Sequence, residues 1–512
     1  MNANNIKFMK QTLALSTLFL TFIFPYTASN ADGLFSAQDN TLFAPFLNYQ
    51  EQNYLTEFSM SGSNQLQLNS AIPRADQPAY GAGIQVDEGL NFTMQRISFD
   101  GQLYNADITF QQNETFSIEN ISLVDESMPA RGNIVESTLV NQVSQSQFNS
   151  LLSFYNIQQG TDIDISAMND VQIYSVTYET LDPSGSLVQA SALVAFPTDT
   201  QNTYPLIAYQ HGTEVLRADA PSQNINDLPT LGLAASGYVV VSADFLGLGE
   251  SALLHPYIHA HSLATTVIDA LRSAKLLAAE KAINLNNQLF LIGYSEGGYA
   301  TMATHREIQR NYSDEFTVTA SAPMAGPYDL SGTMLEQLFN DAPLPSPFYF
   351  PYTLLAYNQI YGFTETLSDY FQSPYDQNIT SLYDGNHSDS EIDSAIPEKR
   401  QLYTQHFFDL LDGESNSGLK VALTENDSFR WVPNSPMYLF HCINDEKVPY
   451  QNTQVAFDYF QSTNATQVQL FAIDEPALNQ GEQVHSDCAI PLLLKGKDLF
   501  DAMVQANELS AI

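Results

Sequence analysis

This 512-residue chain is short of positive charge: 18 Lys and Arg stand against 57 Asp and Glu, a formal net charge of −39. Phosphate backbones and anionic lipid surfaces are gripped by clustered Lys and Arg, so this balance speaks against nucleic acid or anionic membrane as a partner. The acidic excess reads as a solubility device rather than as chemistry. Cysteine is scarcer still, with Cys442 and Cys488 alone, which leaves room for a single disulfide. Long apolar runs are missing too. Beyond residue 31 none reaches 18 residues, so no stable membrane insertion is expected of the mature chain.

The exception lies at the start. Lys7 and Lys10 precede the apolar stretch Leu13 to Phe24, and Ser29-Asn30-Ala31 offers small residues at a cleavage site. This is the pattern of a signal peptide over residues 1–31, and it places the mature protein outside the cytoplasm, extracellular or periplasmic. The alternative, an uncleaved anchor, has too short an apolar run to span hydrocarbon comfortably.

Residues 32–130 alternate in short stretches such as Phe92-Thr-Met-Gln-Arg-Ile-Ser-Phe and Phe116-Ser-Ile-Glu-Asn-Ile-Ser-Leu, broken by Gly, Pro and Asn. They predict a small β-rich module. It contains no His and no catalytic cluster, and no internal repeat is evident along the chain. Residues 134–156 carry a weak helical pattern, with Ser144-Gln-Ser-Gln near its centre. From there apolar runs alternate with helical stretches. The runs are Leu206 to Tyr209, Tyr238 to Ala243, Leu289 to Gly293, Val318 to Pro323, Met437 to Phe440 and Val468 to Ile473. Continuous apolar runs suit strands buried on both faces, and their alternation with helices predicts an α/β fold with a largely parallel sheet over 131–512. Between about 331 and 432 the alternation gives way to an aromatic, Pro-rich insertion, expected as a cap over a cleft.

Gly293-Tyr294-Ser295-Glu296-Gly297 follows the strand-like Leu289-Phe-Leu-Ile and precedes a helical stretch. A serine on a tight strand–turn–helix elbow is the pattern of an activated nucleophile, so Ser295 is the candidate. His485 falls after the last strand-like run and is the candidate base. Two backbone N–H groups are needed for an oxyanion. Glu296, directly after the serine, is expected to give one. Thr213, or failing it Gly212, in Gln210-His211-Gly212-Thr213 gives the other. The Glu296 side chain reads as filler of the elbow. His255, His259 and His261 form His-x-x-x-His-x-His, but no carboxylate or Cys lies at ligand spacing within it. Packing is the expectation there, with no metal and no cofactor.

His441-Cys442-Ile-Asn-Asp445-Glu-Lys-Val-Pro449 resembles the acid loop of α/β-hydrolases. That resemblance implies Asp445 as the acid that orients His485, with His441 structural; Asp329 in Ala325-Gly-Pro-Tyr-Asp-Leu is the competing acid. Cys442 stands three residues before Asp445 and Cys488 three after His485, so a bridge between them would tie the two loops together. Together with Ala243-Asp-Phe-Leu-Gly-Leu-Gly-Glu-Ser, these blocks resemble secreted α/β-hydrolases of the secretory-lipase type, the lipase A-like esterases, over about 165–495. The resemblance implies an α/β-hydrolase fold and hydrolysis of a small-molecule or lipid ester through a Ser-Asp-His triad and acyl-enzyme, without cofactor or metal. The alternatives are a serine peptidase of the same fold and a non-catalytic binding protein on a hydrolase scaffold.

Overall fold

A computed structural model describes residues 131–510, other than 160, 161, 166, 413–416, 477, 479, 480 and 482. It also gives the backbone of eight strands between residues 34 and 123. The expected leader over 1–31 lies outside the described residues.

The eight strands are β1 (Leu34–Ser36), β2 (Thr41–Tyr49), β3 (Gln52–Ser61), β4 (Gln65–Arg74), β5 (Ile84–Val86), β6 (Asn91–Phe99), β7 (Gln102–Phe110) and β8 (Phe116–Leu123). They form one sheet in the order β4-β3-β2-β5-β6-β7-β8, with β1 also on β2. The second group of four strands restates the first 50 residues later, as the pairs Leu34/Ile84, Thr41/Asn91 and Gln52/Gln102 mark at the strand starts. The ladders repeat as well. In β2–β3 the pairing runs from Thr41↔Ser59 to Tyr49↔Gln52, with a bulge between Ala44 and Leu47. In β6–β7 it runs from Asn91↔Thr109 to Phe99↔Gln102, with the bulge between Met94 and Ile97. A bulge preserved at the same step is a designed irregularity of each unit.

The second sheet has nine strands in the order β17-β16-β15-β14-β12-β13-β11-β10-β9. Residues expected as one weak helix divide instead into β9 (Ile134–Val143) and α1 (Gln145–Gln159). Two register shifts in the β9–β10 ladder blur the period of two that would have shown a strand. The polar run taken for a helix centre is its start. Ser144 Oγ accepts from the Gln147 N–H at 3.3 Å, and Gln147 Oε1 accepts from the Ser144 N–H at 2.8 Å, a reciprocal cap.

β10 (Val171–Leu181) and β11 (Leu187–Pro197) continue antiparallel. The remaining strands are β12 (Thr203–Gln210), β13 (Val239–Ala243), β14 (Asn284–Tyr294), β15 (Val318–Met324), β16 (Met437–Cys442) and β17 (Val468–Ile473). They run parallel to one another. β13 shows why these runs are continuously apolar: Val239 and Val241 face one core and Val240 the other. On the first face α3 (Ala260–Glu280) and α4 (Glu296–Asn311) cover the sheet; on the second lie α2 (Leu228–Ala235) and α14 (Val484–Ser510). Full burial of each such Val or Leu contributes roughly 1.5–3 kcal/mol.

Between β15 and β16 the chain forms a π-helical turn (Leu330–Met334) and eight α-helices among the described residues, from α5 (Leu335–Phe339) and α6 (Tyr349–Tyr361) to α12 (Gly418–Glu425). The helix α13 (Gln451–Ser462) lies between β16 and β17. Gln210 pairs with Gly293, Tyr294 with Met324 and Cys442 with Ile473, so the carboxyl ends of the parallel strands finish level. The crevice outside those ends is where sheets of this kind carry their sites.

Candidate active site

Ser295 stands between β14 and α4 at φ 59° and ψ −124°, a left-handed conformation that costs a serine energy and pushes its side chain out of the turn. The elbow is held by the Ser295 N–H donating to the Met324 carbonyl at 2.9 Å. Its glycines are needed for close approach. A Cβ at Gly293 would strike the Gly297 carbonyl, and one at Gly297 would strike the Gln210 carbonyl.

His485 lies in the first turn of α14, and its Nε2 is 2.9 Å from Ser295 Oγ. On the other side of the ring Nδ1 is 2.7 Å from Asp445 Oδ2. All three residues are buried, at 7%, 5% and 7% exposure. Burial by itself raises the Asp445 carboxyl, but the charge of His485 and the hydrogen bonds of His441 and His485 outweigh it and hold it well below the usual carboxylate range. An ionised acceptor keeps the Nδ1 proton in place and leaves Nε2 able to take a proton from the serine. His441 is not a rival base. Its Nε2 donates to the Val448 carbonyl at 2.9 Å and its Nδ1 accepts from Thr453 at 2.6 Å. Asp329 is not drawn to His485; its Oδ2 accepts from the Thr333 N–H and hydroxyl, both at 2.8 Å.

Cys442 and Cys488 form the expected disulfide, with Cα atoms 6.6 Å apart. The loop after β12 lies against the elbow: a Cβ at Gly212 would come within 3.8 Å of Ser295 Cβ. Thr213 Oγ1 is 3.0 Å from the Tyr257 hydroxyl. Tyr257 in turn stacks at 4.5 Å and 11° on Tyr352 of α6, so the aromatic insertion reaches this loop.

A family model described as secretory lipase matches residues 216–476, just over half of the 512-residue chain. The chain belongs to the secretory lipase family. It is a carboxylic ester hydrolase of the lipase and esterase kind. Among solved structures it is similar to the rice cell wall degrading esterase LipA from Xanthomonas oryzae, at 28% identity and a TM-score of 0.66 over 73% of this chain and 100% of that one. A protein from Legionella pneumophila matches at 26% identity and a TM-score of 0.65, over 72% of this chain and 97% of that one. Candida antarctica lipase A shares the fold, at 16% identity and a TM-score of 0.51, over 68% and 79%. No curated protein matches the sequence.

Several residues of this secretory lipase site gave no signal in sequence. Glu446 accepts the His485 backbone N–H at 3.0 Å, and Tyr294 donates to the His485 carbonyl at 2.6 Å. The Glu296 side chain, read as filler, is a partner of His255: Oε1 and Nε2 are 2.8 Å apart and both residues are 1% exposed. His259 binds Ser262 Oγ at 2.8 Å, and burial, then His261 and Arg306, lower its pKa to about 3. Among the described residues no group of three or more His, Cys, Asp or Glu is arranged to hold a metal, and no helix is long and apolar enough to cross a membrane. A small apolar crevice between α2 and α14, lined by Leu228, Leu233 and Leu493 among others, shares no residue with the Ser295 site.

Proposed function

We propose that this secretory lipase acts through Ser295 as nucleophile, His485 as base and Asp445 as orienting acid. The observation that supports it most is the unbroken contact chain Ser295 Oγ–His485 Nε2–Asp445 Oδ2, at 2.9 and 2.7 Å. Ser295 Oγ attacks the ester carbonyl carbon while His485 Nε2 takes its proton. The carbonyl oxygen becomes an oxyanion facing the backbone N–H groups of Glu296 and Thr213, with Gly212 the alternative to Thr213. The tetrahedral centre expels the alcohol, which receives the proton from His485, and an acyl-serine remains. Water then gives a proton to His485 and attacks the acyl carbon; collapse returns the proton to Ser295 and releases the acid.

The domain reading belongs to the same proposal: a β-rich module over 32–130, the hydrolase over 131–512 and a cap over about 331–432. Tyr257 stacked on Tyr352 beside Thr213 supports an aromatic wall for a small-molecule or lipid ester. Secretion after cleavage near residue 31 is supported by the disulfide, which persists in an oxidising compartment. The test is turnover of p-nitrophenyl esters of increasing chain length by the mature protein and by Ser295→Ala. Loss of roughly 10⁴-fold or more in kcat supports the assignment, and the chain-length optimum ranks esterase against lipase. Retained turnover in Ser295→Ala overturns it.

A further inference from the structure

We infer that His255 neutralises the Glu296 carboxyl, so that the oxyanion donors work without a buried negative charge at their back. The inference rests on the assignment of the Glu296 N–H as an oxyanion donor. The side chain of that same residue is 1% exposed, and its Oε1 meets His255 Nε2 at 2.8 Å. The other oxygen, Oε2, is buried without a hydrogen-bond partner. Among the described residues no Lys or Arg forms an ion pair with it; His255 does.

The hydrogen bonds count the protons. His255 Nδ1 is 2.6 Å from the Leu246 carbonyl, which can only accept, so Nδ1 carries a hydrogen. Nε2 faces a carboxyl oxygen at 2.8 Å, and two lone pairs at that distance repel unless a proton lies between them. Whether nitrogen or oxygen holds that proton, the pair is neutral overall. The rings of Phe245, Tyr257 and Tyr352 lie 6.0, 5.9 and 5.6 Å from the imidazole and keep screening water away. A bare carboxylate in that setting would oppose the negative charge developing on the substrate oxygen, the charge the hole exists to stabilise. The titratable groups that sense Glu296 from neighbouring elements are three tyrosines and one carboxyl, Tyr257, Tyr352, Tyr299 and Glu214, while Arg217 acts on Tyr352 and Arg306 on Tyr299. Glu214 follows Thr213 directly, and burial above all pushes it up to about 8, so this neighbouring carboxyl is mostly protonated at neutral pH.

His255 is thus a positioning residue of electrostatic kind, and a mutant cycle tests it. kcat and KM on p-nitrophenyl butyrate are measured for the wild type, His255→Phe, Glu296→Gln and the double variant, with folding followed by thermal unfolding. We expect His255→Phe to lower kcat about tenfold with KM little changed, but by less than about threefold when Glu296→Gln is already present. His255→Gln, which can donate a hydrogen bond to Glu296 but carries no charge, should behave like His255→Phe and serves if the phenylalanine does not fold. An equal loss of kcat in both backgrounds overturns the inference, because His255 would then act through packing alone. Failure of the triad assignment reads out separately, as turnover retained by Ser295→Ala.

Discussion

Tyr294 donates its hydroxyl to the backbone carbonyl of His485 at 2.6 Å, across 191 residues of sequence. The residue before Ser295 therefore holds the backbone of the residue that faces Ser295. Burial, then Asp445 and Glu446, keep the Tyr294 hydroxyl protonated well above its ordinary range, so the grip persists at any pH the protein would meet. Glu446 and the disulfide add two more anchors to the same turn of α14. Such support fixes the imidazole where a hydrogen bond to serine needs it.

Asp445→Asn should lower kcat about 10⁴-fold, because an amide can present its N–H to Nδ1 and leave the wrong tautomer. Asp329→Asn should lower the melting temperature and spare most of kcat, since Asp329 caps the turn at Thr333. Steady-state kinetics on both variants check this; a comparable kcat loss in Asp329→Asn alone would shift the acid to that residue. The depressed Asp445 pKa also fixes a sign. Its stabilisation is present above the unfolded carboxylate value of about 3.9 and is lost as pH falls through the folded value. Measured against Asp445→Asn to subtract acid effects elsewhere in the chain, the wild type should show the larger fall in melting temperature below about pH 4.

Glu214 has the opposite sign. Its folded value of about 8 lies above the ordinary 4.5, so between these the unfolded chain has released a proton that the folded chain retains. Folding becomes less favourable as pH rises across that window. Glu214→Gln should therefore raise the melting temperature more at pH 8 than at pH 4; an equal change at both would contradict the buried, protonated carboxyl. Thermal unfolding at the two values decides.

Removing the bridge with Cys442→Ser and Cys488→Ser should lower stability by about 4 kcal/mol on the chain-entropy estimate for a 46-residue separation. Denaturant titration gives the change. Activity well below the transition should fall far less than in Ser295→Ala, because Tyr294 and Glu446 still hold His485.

Asp269, fully buried, accepts from Arg131 at 3.1 Å, Arg272 at 2.5 Å and Thr180 at 2.7 Å, and so pins the first residues after the N-terminal module to α3. Asp269→Ala strands the buried Arg131 charge and should destabilise by roughly 3–5 kcal/mol. Equilibrium unfolding is the check, and a loss under about 1 kcal/mol would mean that water reaches Arg131.

The elbow and its neighbours were legible because their signals are local. Gly293, Ser295 and Gly297 sit in five residues, and the cysteines fall beside the two loops that the disulfide joins. The supports were not, because each is a contact between residues far apart in sequence: His255 with Glu296 across 41 residues, Tyr294 with His485 across 191. The helix start at Ser144 was written locally as Ser-x-x-Gln, but the bulged strand before it hid the boundary. The recurring strand spacing escaped for a different reason. Between 33–74 and 83–124 only Gly33/Gly83, Gln52/Gln102 and Tyr54/Tyr104 are identical, so the recurrence lies in the strand spacing and not in the side chains.

That spacing extends into the hydrolase. β9 opens at Ile134, which follows Ile84 as Ile84 follows Leu34, so the catalytic sheet begins where the first strand of a third unit would fall. A chain that keeps a step of 50 residues between these strand starts therefore enters its second sheet at the same interval at which it built the first.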